Sequence, residues 1–445
     1  MPWRADEKGL HTVVKTPKMI WQLINHTVMI TLLVITLSGC NLPSTALPPI
    51  ATLFIPASTQ LKVSPSTPTQ VRVSQSTPTP LSVSPPTSTL VNIALPFIMA
   101  GGPTESPIPI LVSSSTPTPV PVNLPSATTT KPPIPQITVL FTGVIVPARC
   151  VQAAIDARED ANYVYTEVRD QISSADLAVG TLNTSLSDLS THTGCIETYV
   201  LVGDARSAKA AALAGFDVMS VATNHIKNCA GASCGDDYNR AFLDTLENLR
   251  ANGIPPVGAG MNRAEALQPV VVEIKGVRFG FVSLGMVEPM AFAGQDSPGI
   301  AELNDTNLRA SINAARQVSD VVIAMPHWGP EDTSEPNSYQ LHYAQVAVEA
   351  GADVVVGNHT HVVQAIQQIN SVDVFYGLGN FIFDQTWDLA HQQGVILLLH
   401  FSGADYTGYE LIPTHVDGDG TVHIAGEDEA AQVLQRIETA SERLK

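Results

Sequence analysis

From residue 137 onward, short apolar runs alternate with longer stretches whose apolar residues recur at helical spacing. The runs at 137–146 (ITVLFTGVIV), 176–182 (DLAVGTL), 216–222 (FDVMSVA), 278–284 (RFGFVSL), 320–325 (DVVIAM) and 353–357 (DVVVG) are short and almost wholly apolar. That pattern predicts strands buried on both faces. Between them, 205–215 (ARSAKAAALAG), the series Tyr238, Phe242, Leu246 and Leu249, the stretch 304–318 and the stretch 337–350 after Pro336 predict helices. Two late runs, 372–377 and 394–401 (GVILLLHF), read as strands with no long helix between them. The expectation is an α/β domain with a largely strand-built end.

The first 136 residues follow neither period. Arg4, Lys8, Lys15 and Lys18 precede the apolar run VMITLLVITL (28–37), which ends in LSGC at Cys40. Ten apolar residues are too few to span a bilayer, so 1–40 reads as an export signal. The alternative is an uncleaved anchor beginning at Met19, although Gln22, Asn25 and His26 interrupt it. Leu37-Ser38-Gly39-Cys40 resembles a bacterial lipobox, which implies cleavage before Cys40 and lipidation of its thiol. Residues 41–136 are filled with Pro, Ser and Thr (SPSTPTQ, SQSTPTP, SSSTPTPVPV). Such a stretch buries too little apolar surface to offset the entropy of ordering, so it reads as a disordered tether. These readings place the folded part outside the cytoplasm, held to the cell membrane.

Charge narrows the partners. The first 136 residues hold 7 basic and 3 acidic side chains, and the remainder holds 16 and 38, a formal charge of −22. A domain so acidic is not expected to bind nucleic acid. Apart from Cys40, four cysteines remain at 150, 195, 229 and 234. In an exported domain they can pair, with Cys229–Cys234 and Cys150–Cys195 the preferred arrangement, or stay as free buried thiols.

Polar residues gather where the strands stop. Asn224 and His225 follow 216–222, His327 and Glu331 follow 320–325, His359 and His361 follow 353–357, and Asn380 follows Tyr376. Parallel strands bring their carboxyl ends to one sheet edge, so these residues are candidates for one pocket. In an extended segment His359 and His361 would point the same way and could share an ion. Ordinary surface or core polarity is the alternative for that pair taken alone. His192, His342 and His391 are expected at the surface or behind the pocket, Trp328 over the pocket wall, and the acidic segment 427–444 as a helix that caps the domain.

The stretches ATNHIKN, MPHWGPE, PNSYQLHYA, AGADVVVGNHTH and YGLGNFIFD look like the CapA family of poly-γ-glutamate capsule proteins, a branch of the calcineurin-like metallophosphatase superfamily. The family's stretches run ANNH, HWG-x-E, P-x-x-x-Q, GHHPH and SLGNF. The resemblance covers about 137–385 and implies a sandwich of two β-sheets flanked by helices, with 386–445 completing the domain. It implies a role in making or anchoring a capsule polymer, with surface polymer or envelope proteins as partners. Carried over by position, Asn224, His327 and His359 match ligands of one metal and His361 a ligand of another. His225 matches a proton donor, while Glu331, Asn380 and Arg149 match supporting residues.

Two departures concern the acidic ligands. The family's first strand ends in Gly-Asp, but Val144 follows Gly143; its second ends in N-L-E, but Asn183 stands where the carboxylate belongs. Carboxylates offset the repulsion between two closely held cations. Asn224, His327, His359 and Asn183 could still hold one divalent ion, zinc or manganese, or the pocket holds none. Three outcomes stay open: a domain kept for binding or assembly, a mononuclear hydrolase of phosphoester or amide bonds, or a two-metal enzyme with replacement ligands. The spacing of Asp176 and Asp188 gives no support to either as a replacement.

Overall fold

The computed structural model describes residues 133–445 except 193, 197, 228, 230–236 and 288, all within the unit Pro119–Lys445. The signal segment with Cys40, the tether as far as residue 132, and Cys234 lie outside the described residues. Among the described residues no helix is long and apolar enough to cross a membrane.

The strands that position the pocket are β1 (Gln136–Ile145), β2 (Leu177–Leu182), β3 (Val218–Ser220), β4 (Pro256–Val257), β5 (Val270–Ile274), β6 (Val277–Gly285), β7 (Val321–His327), β8 (Val354–Val356), β9 (Ile366–Ile369), β10 (Val372–Phe375), β11 (Asn380–Ile382), β12 (Gln393–Ser402), β13 (Asp405–Val416) and β14 (Val422–Ile424). They form two sheets. One runs β14-β13-β12-β1-β2-β3-β4 with β11 beside β1, and the other runs β9-β10-β8-β7-β6-β5. β1 to β4 are parallel neighbours in the first sheet, and β6, β7, β8 and β10 are parallel in the second.

Alternation along the strands separates three layers of core. Ile137, Val139 and Phe141 of β1 face Phe279 and Phe281 of β6 and Val321 and Ile323 of β7, filling the space between the sheets. Leu140 and Ile145 point the other way, toward α1 (Cys150–Arg158), α2 (Arg206–Ala214) and α3 (Arg240–Ala251). Val322 and Ala324 of β7 face α4 (Asp305–Val318) and α5 (Ser338–Ala350) on the outer side of the second sheet. The result is the two-sheet sandwich between helical layers that the family resemblance implies.

Local chemistry sets the helix ends. Asn304 and Asn337 accept hydrogen bonds from Asn307 N and Gln340 N at 2.9 and 3.0 Å, and Asn337 N donates to Gln340 Oε1 to close a capping box. α6 (Glu427–Glu442) lays Val433 and Ile437 into the core between the sheets, and its Glu429 bonds Gln393 of β12. The disulfide Cys150–Cys195 is formed, and Cys229 is also disulfide-bonded.

Candidate metal centre

The pocket opens at the carboxyl ends of both sheets. Asn183, Asn224 and His225 follow β2 and β3 of the first sheet, whereas His327 ends β7 and His359 and His361 follow β8 of the second. The expectation of a single sheet edge is therefore corrected: the imidazoles meet across the sandwich. Asn358 stitches the two sides by donating from Nδ2 to Thr181 Oγ1 at 2.8 Å.

His359 and His361 do not lie on an extended segment. Their φ angles are 110° and 60°, so the chain passes twice through the left-handed region, a conformation costing about 1–3 kcal/mol per residue. Backbone bonds hold the loop there: Trp328 N donates to Asn358 O and Asp332 N to Thr360 O, at 3.0 and 3.1 Å. The turn brings the His359 ring within 4.7 Å of His327 and 6.1 Å of His361, centroid to centroid.

Hydrogen bonds fix which nitrogens carry protons. His361 Nδ1 lies 2.8 Å from Asn380 Oδ1, which can only accept, so Nδ1 is protonated and Nε2 keeps its lone pair. Asn380 Nδ2 donates in turn to Gln385 Oε1 and His391 O, each at 2.9 Å. His327 Nε2 lies 2.9 Å from Asn224 Oδ1, so its Nδ1 is the bare nitrogen. Both His327 Nδ1 and His359 Nδ1 are buried without a hydrogen-bond partner in the protein. Burial keeps the rings neutral: it pushes His327 well below the usual imidazole range, His359 down to about 3, and His361 and His225 to about 4.

Asn183, expected among the ligands, has both ends of its amide committed. Nδ2 donates to Asn224 Oδ1 and Oδ1 accepts from His225 N, each at 2.9 Å. It therefore turns a donor, not a lone pair, toward Asn224. Val144 is fully buried with Val146, Ala148, Leu201 and Phe383, so the other acidic position has become part of an apolar floor. Glu331 is the nearest free carboxylate, 3.9 and 4.0 Å from His361 Nε2 and His359 Nε2. Desolvation, then Asp332, pushes its pKa above the ordinary glutamate range.

Among the described residues no three His, Cys, Asp or Glu side chains are grouped to hold an ion, and Asn224 Oδ1 already accepts from Asn183 Nδ2 and from His327 Nε2, on the side of the ring away from its bare Nδ1. Asp176 bonds Thr138 N and Lys275, and Asp188 bonds Arg240, so both carboxylates are engaged elsewhere.

Arg149, itself at φ 54°, lines the pocket of about 650 Å³ together with His225, Glu331, Tyr199 and Trp387. Its guanidinium is held by Asp384, with Nε 3.1 Å from both carboxylate oxygens, and stands 4.9 Å over the Phe383 ring. Cys150 N also donates to Asp384, at 3.0 Å. Sequence reasoning missed Asp384, although the acidic residue closing FIFD after a strand was a usable signal. His225 bonds the backbone of Tyr199.

Trp328 does not form the pocket wall. It is fully buried in the helix-side core, stacked on Tyr376 with Nε1 donating to Tyr376 O at 2.9 Å. His391 is buried between Asp388 and Asp332, each 2.8 Å away, while His192 and His342 sit at the surface beside Asp156 and Asp305.

Residues 138–385 match the family described as bacterial capsule synthesis protein PGA_cap. The chain is 29% identical over 262 residues to the capsule biosynthesis protein CapA of Bacillus anthracis, covering 57% of this chain and 61% of that one. It is 26% identical over 263 residues to the PGA biosynthesis protein CapA of Bacillus subtilis (strain 168), covering 58% and 67%. The chain thus spans about three fifths to two thirds of the length of these curated relatives. Among solved structures it is similar to the NAD nucleotidase of Haemophilus influenzae, with 12% identity, 68% and 62% coverage and a TM-score of 0.37.

Proposed function

Because the chain belongs to the PGA_cap family of bacterial capsule synthesis proteins, we propose that it serves in making or anchoring a surface polymer, from a lipid-anchored position outside the cytoplasm. Support for the capsule role comes from the family match, which spans the pocket residues Arg149, Asn224, His225, His327, His359, His361 and Asp384. Support for the location comes from the basic, apolar and LSGC segments that end at Cys40 and from the Pro/Ser/Thr tether. The partners on this reading are the membrane through Cys40, the polymer itself and envelope proteins. With a formal charge of −22 on the folded part, nucleic acid is not among them.

The observation that carries the pocket's share of this proposal is the pair of buried nitrogens without a hydrogen-bond partner, Nδ1 of His327 and Nδ1 of His359. On this reading His327 and His359 hold a single zinc or manganese ion, which Asn224 would join only by releasing its hydrogen bond from His327 Nε2. When bound, such an ion would supply a Lewis acid that polarises an ester or amide and activates water. Asn380 orients His361 so that its bare Nε2 is the nitrogen free to accept a proton or hydrogen bond in the pocket, and the Glu331 carboxylate lies 3.9 Å from it. His225 is neutral at pH 7 and would donate its proton only as negative charge develops on a leaving oxygen beside it.

Metal content of the full chain by elemental analysis, wild type against His359→Ala, tests the pocket. About one ion per chain, lost in the variant, supports this reading; no ion in either chain, with both folded, leaves a binding or scaffold role. Complementation of a strain lacking the protein separates the two further. His225→Ala should lower hydrolytic turnover if the pocket is catalytic and leave polymer attachment intact if it is not. Cys40→Ala should release the protein from membranes.

A further inference from the structure

A second gathering of histidines lies at the β13–β14 end of the first sheet. His415 and His423 are direct partners across the two antiparallel strands, which places both rings on one face. Asp417, two residues beyond His415, returns to the same face. His423 Nε2 lies 2.7 Å from Asp417 Oδ2, His415 Nε2 lies 3.6 Å from Asp417 Oδ1, and the ring centroids are 6.5 Å apart.

The far nitrogen of each ring is held by a different carboxylate. His415 Nδ1 is 2.8 Å from Glu429 Oε1 of α6, and His423 Nδ1 is 2.7 Å from Glu167 Oε2. A carboxylate on Nδ1 keeps a proton there, aims the ring and strengthens Nε2 as a donor, which is how metal-bound histidines are commonly supported; His423, with Asp417 on Nε2 as well, holds a second proton there that a bound ion would displace. Gln392 Nε2 can only donate, and it approaches His415 Nε2 at 3.5 Å, the side on which the lone pair then lies.

We propose that His415, His423 and Asp417 form a binding site for one borderline divalent cation of the zinc type, separate from the pocket. Two imidazole nitrogens and one carboxylate oxygen are the donor set such an ion favours, with a fourth position left to water. Glu429 and Glu167 add negative charge behind the ligands, so the ion's charge is offset locally. Among the described residues no such group already surrounds one point, and Asp417 is the member that must turn. It sits on the exposed turn between β13 and β14 and is half open to solvent, so the turn is sterically free.

The inference does not depend on the pocket. Zinc titration by calorimetry of the full chain carrying His359→Ala reads this site alone, with Asp417→Asn and His423→Gln added separately to that background. The expected result is one ion bound at micromolar concentration, weakened at least tenfold by either change with the circular dichroism spectrum unaltered. Asp417→Asn alters only a solvent-exposed turn, so the comparison survives if a histidine variant fails to fold. No zinc uptake in the His359→Ala chain, or uptake that neither change weakens, overturns the proposal and leaves the five side chains as an internal chain of ion pairs.

Discussion

Replacing Asn183 by aspartate tests the account of the pocket at its most specific point. The buried amide donates to Asn224 Oδ1 and accepts from His225 N, both at 2.9 Å. A carboxylate keeps the second bond and turns the first into a contact between two oxygens. Leaving a buried acceptor unsatisfied costs about 1–3 kcal/mol, and an uncompensated buried charge costs about 3–5 kcal/mol. The new acid can relieve part of that by taking a proton or by drawing one onto His327, so a net loss of roughly 2–3 kcal/mol is expected in chelator. With a divalent ion the same carboxylate becomes an anionic ligand, and ion at a hundred times its dissociation constant returns about 2.7 kcal/mol. Thermal unfolding of the full chain reads both effects. N183D should melt roughly 3–5 °C below wild type in EDTA and recover most of that with zinc, while wild type responds less. Equal melting in EDTA, or equal zinc shifts in the two chains, would refute the assignment of Asn183 as a donor facing the ligands.

In chelator the wild-type fold should also be acid-sensitive. His359 is held at about 3 and His361 and His225 at about 4, chiefly by burial, whereas unfolded imidazoles titrate near ~6.5. Between those values the unfolded chain binds more protons, so stability falls as pH drops from about 6.5 toward 4; urea midpoints that stay flat across this window would contradict it. Val144→Ala removes two fully buried methyl groups from the floor formed with Leu201 and Phe383 and should cost about 2 kcal/mol in urea unfolding. Val144→Asp should cost more, read as loss of soluble protein, because it buries a carboxylate among Val146, Ala148, Leu201 and Phe383. Asp384→Asn leaves the Arg149 guanidinium without its bidentate partner and should cost about 3 kcal/mol, with an unchanged unfolding midpoint counting against the pair's structural role.

The strands were legible because buried parallel strands are written as near-continuous apolar runs with polar punctuation at both ends. β6, β7 and β12 fall within two residues of their expected bounds. β3 shrinks to Val218–Ser220 although Val221 N still donates to Val257 O and Val221 and Ala222 stay in the helix-side core, and no residue type marks where the strand stops. The histidines were visible as residues but not as a geometry. Their convergence depends on two sheets facing each other and on a left-handed turn at His359 and His361, which non-glycine residues rarely signal. Arg149 and Asp384 are 235 positions apart, so only the fold reveals that they neutralise one another. Trp328 was readable in principle: it follows the last residue of a strand, and alternation sends it to the face opposite His327. Gly329 explains the family's paired HWG and P-x-x-x-Q stretches. A Cβ there, at φ 90°, would stand 2.4 Å from the Gln340 side chain, so the turn and the helix cap require each other.

The placement of β1 bears on how the molecule comes into being. Its parallel neighbour β2 follows within a few dozen residues, but its antiparallel neighbour β12 pairs Gln136 with Ser402, and α6 closes the same inter-sheet core from farther still. The central strand of the first sheet therefore waits for nearly the whole domain to be synthesised before one of its edges is covered. Contacts so distant in sequence fold slowly, and an uncovered apolar edge invites pairing with another chain meanwhile. The early strands of the domain cannot close around the pocket until its last strands arrive, so the pocket is completed late in folding, and any truncation that removes β12 leaves one edge of β1 bare.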